Sequence, residues 1–149
     1  MITATRHTGI VVRDLERSLA FYRDMLGLKE WKRATEEGAF IETLVGLPGA
    51  RLEWVKLKAP DGSLLELLQY HSHPLAEEDL VVADAPANRL GCSHVAFTVA
   101  DAAAVHAAMT RAGLHCVSGP LASPDGAVRV LYCHDPDGVI VEIVEEVGA

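Results

Sequence analysis

Although half of the 149 residues are apolar, no apolar run approaches the roughly 20 residues that a membrane-crossing helix requires. That absence points to a soluble, globular chain with no membrane partner. The opening residues Met1-Ile2-Thr3-Ala4-Thr5-Arg6-His7 hold no basic region leading into an apolar stretch, so no secretory signal is read and a cytoplasmic home is expected. Cysteine is scarce: Cys92, Cys116 and Cys133 are odd in number and have no Cys-x-x-Cys spacing. In a reducing compartment such residues are expected to behave as small hydrophobes, without disulfide or metal chemistry. Positive charge is also short, 13 Lys and Arg against 21 Asp and Glu for a formal −8. No basic cluster offsets that excess along the sequence, which argues against nucleic acid and anionic lipid as partners.

What is present is one phrase used twice. Ala59-Pro60-Asp61-Gly62-Ser63-Leu64-Leu65-Glu66-Leu67-Leu68 returns as Asp135-Pro136-Asp137-Gly138-Val139-Ile140-Val141-Glu142-Ile143-Val144. Pro-Asp-Gly presets a turn, and the apolar run behind it reads as a strand. Earlier landmarks repeat as well. His7 and His94 are separated by the same 87 residues as Asp14 and Asp101, and Glu66 and Glu142 by 76. Three anchors in one order indicate an internal duplication of a supersecondary unit.

Within the first copy the pattern predicts a strand from His7 to Val12, then a helix capped by Asp14 with Leu15, Leu19, Tyr22 and Leu26 as its apolar stripe and Gly27 as its stop. Strands are expected over Leu28–Thr35, Ala39–Val45, Arg51–Leu57 and Leu64–Tyr70. The second copy predicts a strand over Cys92–Val99, a helix from a capping Asp101 to Ala112, and strands over Leu114–Val117, Ala127–His134 and Val139–Glu145. The expected architecture is α+β: one domain over residues 1–149, with a first βαβββ module over about 5–70, a connector over 71–91 and a second module over 92–146. The two modules would pair into a cupped mixed sheet.

Chemistry is expected where charge interrupts the apolar strands. Strand residues two apart share a face, so His7 falls with Gly9 and Val11, and His94 with Ala96 and Thr98. That leaves Ile10 and Val12, or Val95, Phe97 and Val99, to pack under the helices. Glu66 and Glu142 each sit in mid-strand, where a carboxylate should be expelled from the core unless something pairs with it. Two imidazoles and two carboxylates suit a divalent cation; a buried ion-pair network is the alternative. His71-Ser72-His73 lies in the polar connector and is expected to be exposed. Tyr70 and Tyr132 are strand tyrosines with a hydroxyl at the rim, and Trp31 and Trp54 could line a pocket or a dimer contact.

The residues His7-Thr8-Gly9-Ile10-Val11-Val12-Arg13-Asp14, Phe21-Tyr22-Arg23-Asp24-Met25-Leu26-Gly27-Leu28, Leu65-Glu66-Leu67, Ser93-His94-Val95-Ala96-Phe97 and Asp135-Pro136-Asp137-Gly138 leading to Glu142 resemble the vicinal oxygen chelate superfamily. That superfamily, with the glyoxalase/bleomycin resistance/dioxygenase fold, includes glyoxalase I, methylmalonyl-CoA epimerase, extradiol dioxygenases and antibiotic-resistance proteins. The resemblance implies paired βαβββ modules and one divalent metal ion (Zn, Ni, Co, Mn or Fe) held by His7, Glu66, His94 and Glu142. An intact ligand set argues against the metal-free bleomycin binders. Val11 stands where glyoxalase I proteins usually carry a glutathione-binding arginine, and Pro48-Gly49-Ala50-Arg51 lacks the epimerase glutamate. Leu131-Tyr132-Cys133-His134-Asp135-Pro136-Asp137-Gly138 matches the extradiol dioxygenases, but Ser118 to Arg129 holds none of the histidine they need, and they use only three protein ligands. The resemblance therefore implies a lyase or isomerase that moves a proton beside a metal-bound carbonyl in a small-molecule substrate. Glu142 is the expected base, with Glu66 the second catalytic carboxylate and Glu42 and Glu53 weaker candidates. The alternatives are an extradiol-type dioxygenase and a non-enzymatic binder of a small molecule such as an antibiotic. A homodimer is expected, because half-open sheets leave edges to cover.

Overall fold

A β-branched run followed by a capping aspartate opens each copy of the repeat, and the structure forms both as strand then helix. The computed structural model describes residues 2–74, 86–88, 91 and 94–148. The chain divides into two compact units, Met1–Leu80 and Val81–Ala149. The expected connector lies largely outside the described residues, as do Cys92 and Ser93.

In the first unit β1 (Thr8–Val11) leads to α1 (Leu15–Leu19). The Asp14 side chain accepts from the Arg17 backbone N–H at 3.0 Å, occupying one of the donors that a helix start leaves unpaired. The helix widens into a π-helical segment, Ala20–Met25, before Gly27 ends it at φ 83°. The wider turn adds Phe21 to the buried stripe, edge-on to Tyr22 at 4.8 Å. The chain continues through β2 (Lys29–Glu37), α2 (Ala39–Val45), β3 (Arg51–Lys58) and β4 (Leu64–Tyr70). The sheet order is β1-β4-β3-β2, with β1 parallel to β4 and the other neighbours antiparallel. Ile10, Val55, Leu57, Leu65 and Leu67 form its buried apolar side. Gln69 Oε1 accepts from the Leu15 backbone N–H at 2.8 Å and ties β4 to α1.

The second unit repeats this plan. It contains β5 (His94–Thr98), α3 (Ala102–Arg111), β6 (Leu121–Ala122), β7 (Val128–His134) and β8 (Ile140–Glu146), in the order β5-β8-β7-β6. Asp101 caps α3 through the Ala104 N–H at 2.8 Å. Glu145 Oε2 accepts from the Ala102 N–H at 2.8 Å. Glu145 follows Glu142 by three residues as Gln69 follows Glu66, so even the strand-to-helix tie is duplicated. Two four-stranded mixed sheets with a few helices are the α+β plan expected of two modules.

Two expected strands are not strands. Ala39–Val45 is helix α2, because its apolar residues Phe40, Ile41, Leu44 and Val45 recur with helical spacing. It is bounded by Gly38 at φ 91° and by Gly46, a left-handed C-cap at φ 72°. Leu114–Val117 makes only an isolated bridge, Cys116 to Cys133. The short edge strand of that unit is β6 instead, which pairs Leu121 and Ala122 with Val130 and Arg129.

Candidate functional site

The register places each glutamate beside the small residue that follows its histidine by two. Gly9 is opposite Glu66 in the β1–β4 ladder, and Ala96 is opposite Glu142 in the β5–β8 ladder. Neither neighbour has a side chain to crowd the carboxylate. In the first unit His7 Nε2 lies 2.9 Å from Glu66 Oε2. In the second, His94 Nε2 lies 3.1 Å from Glu142 Oε2. His7 Nδ1 is buried without a partner among the described residues, so the polar chemistry of that ring is at Nε2.

The third strand of each sheet distinguishes the two halves. Lys56 is opposite Glu66, and Tyr132 is opposite Glu142. Lys56 Nζ lies 3.2 Å from Glu66 Oε1 and 4.6 Å from the centre of the Trp54 ring. Glu66, with a side chain only 12% exposed, therefore has one oxygen toward an imidazole and the other toward an ammonium. Such pairing offsets the cost of taking a carboxylate out of water. Glu142 is held by His94 alone, with no lysine or arginine within ion-pair distance among the described residues. The Tyr132 ring lies 5.3 Å from that of His94. Burial first, and the neighbouring Glu142 charge second, push the Tyr132 hydroxyl pKa up.

Two metal bonds of about 2.1 Å at angles of 90–110° leave their donor atoms about 2.9–3.4 Å apart. Each His–Glu pair thus fits two neighbouring ligands of one cation as well as it fits a hydrogen bond. Each unit by itself supplies two donors: among the described residues no three His, Cys, Asp or Glu side chains gather into a metal-holding group.

Of the weaker candidates for a base, Glu53 belongs to a different network. It hydrogen-bonds Arg33 and lies 3.4 Å from His71, and the Arg33 hydrogen bond holds its pKa below the usual carboxylate range. Glu42 lies in the first turn of α2. Trp54 donates its indole N–H to Glu36 at 2.7 Å, whereas Trp31 is half exposed. His71 is exposed, and Ser72 Oγ pairs with His73 Nδ1 at 2.8 Å.

Lys56 is the site residue that sequence reasoning missed. The expectation that no basic cluster offsets the negative charge also needs correction, because Lys29 faces Lys58 and Lys32 faces Lys56 across β2 and β3. The residues lie far apart in sequence and meet only through the ladder.

Residues 5–143 match the family model described as the glyoxalase/bleomycin resistance protein/dioxygenase superfamily. The chain is 31% identical over 146 residues to a lactoylglutathione lyase of Pseudomonas aeruginosa, covering 93% of this chain and 80% of that one. It is 26% identical to the YwbC protein of Bacillus subtilis, over 93% of this chain and 94% of that protein. Among solved structures, a glyoxalase family protein from Bacillus cereus superposes with a TM-score of 0.87 at 27% identity, over 99% of this chain and 97% of that one.

Proposed function

Because the chain belongs to the glyoxalase/bleomycin resistance protein/dioxygenase superfamily, we propose that it is a metal-dependent lyase or isomerase that moves a proton beside the carbonyl of a small-molecule substrate. We take the chain as one domain, with His7, Glu66, His94 and Glu142 as the ligands of the divalent ion. The observation that carries this reading is the duplicated His–Glu pair, at 2.9 and 3.1 Å, in equivalent registers of two sheets. Relatives named lactoylglutathione lyase support a substrate carried on a thiol.

When bound, the metal supplies a Lewis acid that draws electron density from a carbonyl and so acidifies the neighbouring C–H. The two carboxylates divide the remaining work by their partners. Glu66 Oε1 is held by Lys56, a contact that leaves Oε2 and His7 Nε2 for the metal, and Glu66 serves as the stationary carboxylate. Among the described residues Glu142 has no such cation, and only its Oε2 is engaged, toward His94. Its Oε1 takes the proton from carbon and returns it to the adjacent carbon or to the same one. Tyr132, a phenol protonated at neutral pH, stands opposite that carboxylate in the β7–β8 ladder as a donor.

The test compares Glu142→Gln with Glu66→Gln by two measurements: metal per chain, and exchange of the substrate α-proton in deuterated water. Substrates come from a screen of glyoxalase and acyl-CoA epimerase compounds. A glutamine oxygen still coordinates but is too weak a base to take a carbon-bound proton. Glu142→Gln should retain metal and lose roughly 10²–10⁴-fold in turnover. A Glu142→Gln variant with near-normal exchange, beside an inactive Glu66→Gln, overturns the assignment of roles. Undiminished stoichiometric metal in both Glu66→Ala and Glu142→Ala removes the four-ligand site.

A further inference from the structure

All four lysines of the chain, Lys29, Lys32, Lys56 and Lys58, lie in two adjacent strands; every other basic residue is arginine. In the β2–β3 ladder Lys29 is opposite Lys58 and Lys32 is opposite Lys56, and in the β3–β4 ladder Lys56 is opposite Glu66. Directly opposed residues share a face. The four ammonium groups therefore share the Glu66 face, the one opposite the buried Val55, Leu57, Leu65 and Leu67.

A bulge makes this convergence possible. Lys29 and Lys32 are three apart, which in a regular strand puts them on opposite faces. The register shifts between Glu30 and Lys32, with Trp31 as the extra residue, and Lys32 is turned to the same side as Lys29. Like charges directly opposed across a ladder are unfavourable, yet the arrangement occurs twice in succession. Among the described residues only Lys56 of the four has a carboxylate partner, Glu66 Oε1 at 3.2 Å. Among the described residues Lys29, Lys32 and Lys58 have none within ion-pair distance, although the chain has 21 acidic residues. Arg23, Arg33, Arg51 and Arg129 are paired with carboxylates, and Arg6, Arg17 and Arg111, which have no such partner among the described residues, are scattered along the chain rather than gathered in one ladder.

We propose that Lys29, Lys32 and Lys58 bind an anionic group of the substrate, a carboxylate or phosphate, beside the Glu66 half of the site. This rests on the reading of Glu66 as a site residue. Ammonium groups on flexible stems act as point charges toward such anions without fixing one geometry. Lys56, occupied by Glu66, links the anion subsite to the reacting one.

Binding of inorganic phosphate and of succinate to EDTA-treated full-length protein, measured by isothermal titration at low ionic strength, tests the proposal without metal or turnover. Millimolar or tighter binding of at least one probe is expected, weakened tenfold or more in Lys29→Gln/Lys32→Gln/Lys58→Gln and by added sodium chloride. The Arg17→Gln/Arg111→Gln control, which removes positive charge elsewhere, should bind like the parent. Preference for phosphate over succinate assigns the group as a phosphate, and the reverse as a carboxylate. No binding of either probe, an unchanged triple variant, or an equal loss in the arginine control overturns the subsite. Because metal is absent throughout, loss of the metal site in the glutamate variants leaves this result intact, and the two failures are distinguishable.

Discussion

Glu66 and Glu142 occupy equivalent positions in two copies of one strand, and their surroundings differ in one cross-strand neighbour, Lys56 in one sheet and Tyr132 in the other. The His–Glu pairings were legible in the sequence, because histidine at a strand start recurs in step with the capping aspartates and glutamate recurs in the apolar run behind each Pro-Asp-Gly turn. The lysine was not, since Lys56 reaches Glu66 only through an antiparallel register that no local pattern specifies. Of the described cysteines, Cys133 is fully buried and Cys116 partly so, and both are free thiols. Burial pushes the Cys133 thiol up to about 12, with lesser contributions from Cys116 and Asp135, and its Sγ–H donates to the Val141 carbonyl. At pH 8 only about one molecule in ten thousand then holds the thiolate that reacts with a disulfide reagent. In a Cys92→Ser/Cys116→Ser variant, native protein should show no reaction with Ellman's reagent over an hour, and full reaction in denaturant. Rapid modification of the native variant contradicts the buried placement.

Elements whose ends carry their own chemistry were legible, and those that tertiary contacts decide were not. The helices after β1 and β5 are announced by Asp14 and Asp101, and both aspartates accept from the backbone N–H three residues on, at 3.0 and 2.8 Å. Ala39–Val45 misleads because its β-branched and aromatic residues suit a strand, while its bounding glycines and apolar spacing suit a helix. Only Ile41 among them is buried, so packing gives a weak signal either way. Leu114–Val117 fails as a strand because its bridge to β7 stops at Cys116, with hydrogen bonds from Val117 N to Tyr132 O and from His134 N to His115 O. The caps supply the prediction at this scale. Asp101→Ala and Asp14→Ala should each lower unfolding stability by about 1 kcal/mol, through the loss of one satisfied N–H at a helix start. Urea denaturation with an unchanged slope measures it. A change within error for Asp101→Ala means that the Glu145 bond to Ala102 N–H already satisfies that end of the helix.

For the whole chain, duplication organises two sheets with one plan, and each sheet by itself ends in edges. In the first unit β2 runs from Lys29 to Glu37 and, among the described residues, pairs only with β3. A nine-residue edge of that kind offers unpaired backbone groups to another chain unless it is covered or charged. Its charged residues, among them Lys29, Glu30, Lys32 and Arg33, discourage indiscriminate pairing, whereas Trp31 at the bulge is 51% exposed, and Phe40 and Leu44 on α2 are 74% and 67% exposed. Large apolar side chains beside a charged edge favour one specific partner over open-ended association. We therefore propose a homodimer with Trp31 as an apolar anchor. Sedimentation equilibrium at micromolar protein and 0.15 M salt should give twice the 16.0 kDa chain mass. Trp31→Ala should shift the equilibrium toward monomer by tenfold or more, since truncating a central aromatic anchor typically costs more than about 1.4 kcal/mol of binding. Circular dichroism of the variant separates lost association from lost folding, because Trp31 lies outside the buried core of its sheet. A parent chain that sediments as a monomer refutes the dimer. A dimer indifferent to Trp31→Ala places the interface on another surface, with Phe40 and Leu44 of α2 the next residues to replace.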